Sequence, residues 1–147
     1  METANIPRDT ARAMSEENVE RHRRGYETWN RGDREAWLAL GDPEIELILP
    51  GLQAMEGGEA LRGHEGASRV WDALHATFSD PRIDVDEIRE LGARTFGKVR
   101  LRGRGAGSGA PVDQPIWHLF EWCNGKLIRF QAFLNETEAL EAAGLSE

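Results

Sequence analysis

The segment from Ile116 to Leu134 constrains this chain most. Two β-rich runs, Ile116 to Trp122 and Leu127 to Leu134, flank Asn124-Gly125. Asn-Gly tolerates positive φ at both central positions of a tight turn, so the segment reads as a β-hairpin. On the first strand, Gln114, Ile116, His118, Phe120 and Trp122 share one face. Trp117, Leu119 and Glu121 share the other. Both faces are largely apolar, so each needs a cover. One face carries a single histidine among aromatics and aliphatics.

The rest of the chain supplies covering elements. Ser15 reads as a helix N-cap, followed by Glu16 and Glu17 in a first turn that favours negative charge. Val19, His22, Tyr26 and Trp29 then recur at helical spacing, up to Asn30-Arg31-Gly32. Asp33 caps a short second helix with Ala36, Trp37 and Leu40, stopped by Gly41-Asp42-Pro43. Ile45, Leu47 and Leu49 alternate as a strand, and Pro50 to Gly58 reads as a loop. A third helix turns Ala67, Val70, Trp71, Leu74 and Phe78 to one side, and Ser79-Asp80-Pro81 ends it. Two further strands centre on Ile83/Val85 and Val99/Leu101, and the glycine-rich run Gly103 to Pro111 suits a hairpin tip. Asn135 caps a last helix, Glu136 to Ala143, closed by Gly144. Helices followed by a run of strands indicate an α+β domain with a mainly antiparallel sheet. Residues 1–14 are expected to form a flexible tail and residues 15–145 one domain.

Charge narrows the partners. With 18 Lys and Arg against 26 Asp and Glu, the net charge is −8. Nucleic-acid binders carry a basic surplus, so nucleic acid is not expected. No apolar run reaches the roughly 20 residues of a membrane span, and the N-terminus lacks a signal-peptide core. The lone Cys123 allows no internal disulfide. The expected location is the cytoplasm. No His/Cys/Asp/Glu cluster has metal-ligand spacing, and Gly103 to Gly109 lacks the Gly-Lys-Ser/Thr of a phosphate loop. Neither metal nor cofactor is expected. Lys98, Arg100, Arg102 and Arg104 form a basic stripe that cross-strand pairing with Asp84, Asp86 and Glu121 explains.

Several segments together resemble the SnoaL-like branch of the nuclear transport factor 2-like superfamily. They are Tyr26 to Asp33 at the first helix junction, Asp42-Pro43-Glu44-Ile45-Glu46-Leu47 entering the first strand, and Arg62-Gly63-His64-Glu65-Gly66 before the third helix. Gly125-Lys126-Leu127-Ile128-Arg129-Phe130 in the last hairpin and the ending Glu138 to Leu145 complete the set. The resemblance implies a cone-shaped fold: three N-terminal helices packed in a curved sheet, with a short C-terminal helix and a cavity open at one end. It also implies a homodimer joined through the outer sheet face. Family activities include steroid isomerisation, polyketide ring closure and epoxide hydrolysis.

The resemblance places three isomerase positions on residues that depart from the isomerase pattern. The tyrosine falls on Gly25, the basic aspartate near Leu49, and the protonated aspartate on His118. In the polyketide cyclases, the acid/base aspartate also corresponds to His118. Histidine suits that role because its ordinary pKa near 6.5 lets it exchange a proton at neutrality. His118 is therefore the candidate catalytic acid/base. The expected cavity wall includes His22, Tyr26, Trp29, Leu47, Leu49, Val70, Leu74, Gln114, Ile116, Phe120 and Phe130. Few polar groups in an apolar wall is the usual make-up of a small-molecule site. Trp117 and Leu119, on the opposite parity, are expected to meet the partner subunit of a dimer. His64 is assigned to the turn before the third helix and His75 to that helix's exposed side.

These readings leave three functions open. One is a cofactor-free isomerase or cyclase using His118, or a hydrolase of the same fold. Another is a non-catalytic carrier of a small apolar molecule. The third is a protein-interaction module working through Trp117 and Leu119.

Overall fold

A computed structural model describes residues 8–52 and 60–145. Among these described residues, four helices and six strands follow in the order α1 (Arg8–Arg31), α2 (Arg34–Ala39), β1 (Gly41–Ile48), β2 (Leu61–Arg62), α3 (Gly63–Thr77), β3 (Phe78–Leu91), β4 (Arg94–Gly105), β5 (Pro111–Cys123), β6 (Lys126–Phe133) and α4 (Glu136–Ala143). The strands form one sheet in the order β2-β1-β6-β5-β4-β3. β1 runs parallel to β6, and every other neighbouring pair is antiparallel. The three N-terminal helices pack against this mixed sheet, giving the expected α+β architecture.

The hairpin that anchors the sequence reading is β5–β6. Asn124 and Gly125 take φ of 49° and 76°, the pairing a primed two-residue turn needs. Asp33 accepts a hydrogen bond from Ala36 N and caps α2. Asn135 accepts one from Glu138 N and caps α4, which ends on left-handed Gly144.

Helix α1 begins at Arg8, well before Ser15, so Arg8 to Met14 are not a tail. Arg12, Ala13 and Met14 are good helix formers and need no buried face to continue the helix. An N-cap residue such as Ser15 acts only where the preceding backbone leaves the helix. Residues 1–7 lie outside the described residues, as do 53–58 of the expected Pro50–Gly58 loop.

The expected break at Ser79-Asp80-Pro81 is instead a bulge inside β3. Asp80 has a φ of 48°, and the pairing with β4 shifts between Ser79 and Arg82. Phe78 accordingly starts the strand rather than completing the helix face. β3 is an edge strand, which tolerates proline. Helix α1 secures it: Asn30 accepts from Ile83 N and donates to Ile83 O, and Trp29 Nε1 donates to Pro81 O. The basic stripe is paired as expected at one point, Arg102 with Asp84, whereas Arg100 pairs with Asp113, which the sequence did not single out.

The outer face of β5 corrects the argument for a partner chain. Trp117 and Leu119 are buried within a single chain, in a cluster with Phe96 and with Ala139 and Ala143 of α4. The C-terminal helix covers the face that the sequence left uncovered. These two residues therefore carry no argument for a homodimer, nor for an interaction module that needs them exposed.

Candidate functional site

Between α1, α2, α3 and the concave side of the sheet lies a cavity of about 420 Å3. Helical spacing turns Tyr26 and Trp29 of α1 toward it, and Val70 and Leu74 of α3 close the side opposite the sheet. Strand alternation contributes Leu47 and Leu49 after β1 turns inward, Gln114, Ile116, His118 and Phe120 from β5, and Phe130 from β6. Trp37 and Trp122 also line it. Of the lining residues, Pro50, Gln114 and Leu134 are exposed, which places the mouth at the far ends of β1, β5 and β6. No Asp or Glu contributes to the lining among the described residues. A volume within the roughly 300–1,000 Å3 of ordinary ligand sites, in a mostly apolar wall, suits a small apolar molecule.

His22 is the exception among the expected wall residues. It is fully buried and lies behind Tyr26. The i,i+4 spacing on α1 puts its Nε2 within 2.6 Å of Tyr26 Oη. On its other side, His22 Nδ1 lies 2.6 Å from Thr95 Oγ1. Thr95 in turn accepts from Trp122 Nε1 at 2.8 Å. Tyr26 Oη continues the chain to His118 Nδ1 at 2.9 Å. Five side chains, Trp122, Thr95, His22, Tyr26 and His118, thus form one buried hydrogen-bonded line from β5 through β4 and α1 back to β5. Among the described residues, His118 Nε2 has no protein partner, and no sealed side-chain N or O is left unpaired. Nε2 therefore opens on the cavity that His118 lines.

Packing fixes the line. The His22 ring stacks on Phe120 with centroids 4.1 Å apart, and His118 lies 5.3 Å from Phe120 and 5.0 Å from Phe130. Gly97 sits opposite His118 on β4. A Cβ there would stand 2.5 Å from Tyr26 Oη and 2.8 Å from His22 Nε2. Only glycine leaves room for the line to pass. Thr95 and Gly97 were not singled out from sequence. The signal was present, since both continue the inward parity of Val99 and Leu101.

The surroundings set the charge states. Burial lowers the His118 imidazole to about 3, and no carboxylate compensates. His22 is lowered well below its ordinary value, first by burial and then by the nearness of His118 and Arg23. Burial raises the Tyr26 phenol. At neutral pH all three groups are uncharged. A neutral imidazole here is a weak base and hydrogen-bonds rather than trades protons freely.

The other histidines are structural. His64 Nε2 bonds Gly41 O at 2.9 Å, and exposed His75 bonds Trp71 O through Nδ1 at 2.8 Å. Among the described residues, no group of three or more His, Cys, Asp or Glu is placed to hold a metal ion. No helix among them is long and apolar enough to cross a membrane.

A SnoaL-like domain is matched over residues 22–130. Solved structures agree on the fold. A nuclear transport factor 2-like protein of unknown function from Burkholderia pseudomallei K96243 superposes with a TM-score of 0.73 at 21% identity, covering 85% of this chain and 95% of that one. A putative SnoaL-like polyketide cyclase from Jannaschia sp. CCS1 gives 0.72 at 22% identity, covering 99% and 100%. TerC, co-crystallised with polyporic acid, gives 0.71 at 19% identity, covering 87% and 98%. Identities this low speak for the fold alone. No curated protein matches the chain.

Proposed function

Because the chain belongs to the SnoaL-like family, we propose that it binds a small, largely apolar molecule in its cavity, with one polar group of that molecule meeting His118. The observation that supports this reading is His118 Nε2, a polar atom without a protein partner in an otherwise mostly apolar wall. A ligand that brings a polar group to Nε2 gains a hydrogen bond there, in a wall that otherwise offers mostly apolar contact.

Naphthalene tests the apolar part of the reading. At a concentration of about 100 Kd it should raise unfolding free energy by about 2.7 kcal/mol, seen as a higher melting temperature. Val70→Trp, which fills the cavity from α3, should abolish the rise. If wild type shows no saturable shift with naphthalene, and native mass spectrometry finds no co-purified molecule, the cavity is not a binding site.

The buried line behind His118 favours a second reading, a cofactor-free cyclase or isomerase. A carrier needs no Thr95–His22–Tyr26 backing to hold an apolar ligand, whereas catalysis gains from a donor fixed before the reaction begins. With a co-purified molecule or its precursor as substrate, His118→Phe should abolish turnover while binding persists. Turnover that survives this change sinks the catalytic reading and leaves the carrier.

A further inference from the structure

The line of five side chains has a direction, and the direction decides what His118 offers to a ligand. Trp122 Nε1 can only donate, so its hydrogen goes to Thr95 Oγ1. Thr95 is fully buried, and its hydroxyl has one other partner, His22 Nδ1. The hydroxyl proton must therefore go to His22 Nδ1, which makes Nδ1 the acceptor. Neutral His22 then carries its proton on Nε2 and donates it to Tyr26 Oη. Tyr26, also buried, has His118 Nδ1 as its remaining partner and donates there. Neutral His118 then carries its proton on Nε2, the nitrogen that opens on the cavity.

The reverse direction leaves a proton stranded. If His118 Nδ1 donated to Tyr26 and Tyr26 to His22, then His22 Nδ1 would donate to Thr95. Thr95 would accept twice, from His22 and Trp122, and its own hydroxyl proton would have no acceptor in a site closed to water. A mixed arrangement, with both histidines donating to Tyr26, strands the phenol proton in the same way. Only one arrangement pairs every buried donor.

From this geometry we infer that His118 presents a fixed Nε2–H donor to the cavity rather than a basic lone pair, so the site selects ligands with an acceptor oxygen, such as a ketone or its enolate. Trp122, Thr95, His22 and Tyr26 are positioning residues that hold this tautomer. The inference rests on the cavity-binding reading above for its ligand, but not for its tautomer. In a reaction, such a donor stabilises negative charge developing on the oxygen without itself changing charge.

Two measurements on the folded wild-type protein decide it. Long-range 1H–15N correlation of 15N-histidine-labelled protein at pH 7 reads each tautomer, with His118→Phe assigning the resonance. Both buried imidazoles should carry the proton on Nε2, with Nδ1 unprotonated. A His118 protonated on Nδ1 overturns the inference. The second measurement compares three bicyclic probes of similar size by calorimetry: indane, 1-indanone and indole. The acceptor, 1-indanone, should bind about tenfold tighter than indane, or about 1.4 kcal/mol. Indole, a donor, should bind no tighter than indane. His118→Phe should erase the preference. Equal binding of indane and 1-indanone, or a preference for indole, overturns the selectivity while leaving cavity binding intact. If no probe binds, the cavity reading fails, and the tautomer spectrum alone still decides what His118 presents.

Discussion

Two aromatic regions meet at the cavity and are built on opposite principles. Near the edge strand β3, Trp29, Trp37 and Trp71 contact one another at centroid distances of 4.8–5.4 Å, mostly edge-on or tilted. Trp29 satisfies its N–H on a backbone carbonyl, Pro81 O. On the β4–β5 side, His22 and His118 stack on Phe120, Tyr26 stacks on His118 and Phe130 packs against His118, but the polar atoms of His22, Tyr26 and His118 bond one another through side chains. The tryptophan region gains stability from buried apolar area and spends little of it on polar groups. The histidine region gives up stability to hold uncharged polar groups in a place that disfavours them. Apolar packing and the buried polar line are thus separated on two sides of one cavity.

The largest effect is expected at Trp29. Trp29→Ala removes a buried indole, leaves a void against Trp37 and Trp71, and orphans Pro81 O. A loss of about 3–5 kcal/mol is expected. In a domain of this size that lowers the melting temperature by on the order of 10 °C. A loss under about 1 kcal/mol in denaturant unfolding would mean that the tryptophans are not the support of this wall.

The two walls were unequally legible in the sequence. Periodicity alone placed Trp29, Val70 and Leu74, because apolar burial repeats with the helix. The parity of β5 put His118 inward and Trp117 outward, because a strand alternates strictly. What covers Trp117 was misjudged: the cover is α4, and periodicity within β5 says nothing about which segment returns to it. The line behind His118 was not readable either. It depends on the register of β4 against β5, which sets Gly97 opposite His118, and on the approach of α1 to that glycine, and both are tertiary facts. His118 departs from the reference value because that value describes a solvated ring, whereas this ring is buried without a counter-charge.

Acid should weaken the histidine wall selectively. His118 and His22 are lowered in the fold and titrate near 6.5 when unfolded. Below pH 6.5 the unfolded chain takes up protons that the folded protein refuses. Their contribution is therefore intact above that pH and is lost as pH falls toward about 3 for His118. By pH 5.5 each histidine should cost about 1 kcal/mol relative to pH 7, about 2 kcal/mol together. Urea unfolding at the two pH values reads this, and His118→Phe should halve the change. A stability that is flat between pH 7 and 5.5 would mean that these rings are solvated or already charged.

The smallest effect sharpens the contrast from the other side. His75 belongs to the tryptophan wall, with its ring stacked 4.6 Å from Trp71 and tilted 4.9 Å from Trp29. Like His118 it packs against aromatic rings, but it is exposed and its one hydrogen bond runs to a backbone carbonyl of its own helix. Trp71 O already serves the helix, so nothing buried is orphaned when the ring is removed. His75→Ala should change unfolding free energy by no more than about 0.5 kcal/mol and leave 1-indanone binding unaltered. A loss above 1 kcal/mol would show that the His75 ring is part of the tryptophan support. The two walls would then differ in burial alone, not in the kind of interaction that holds them.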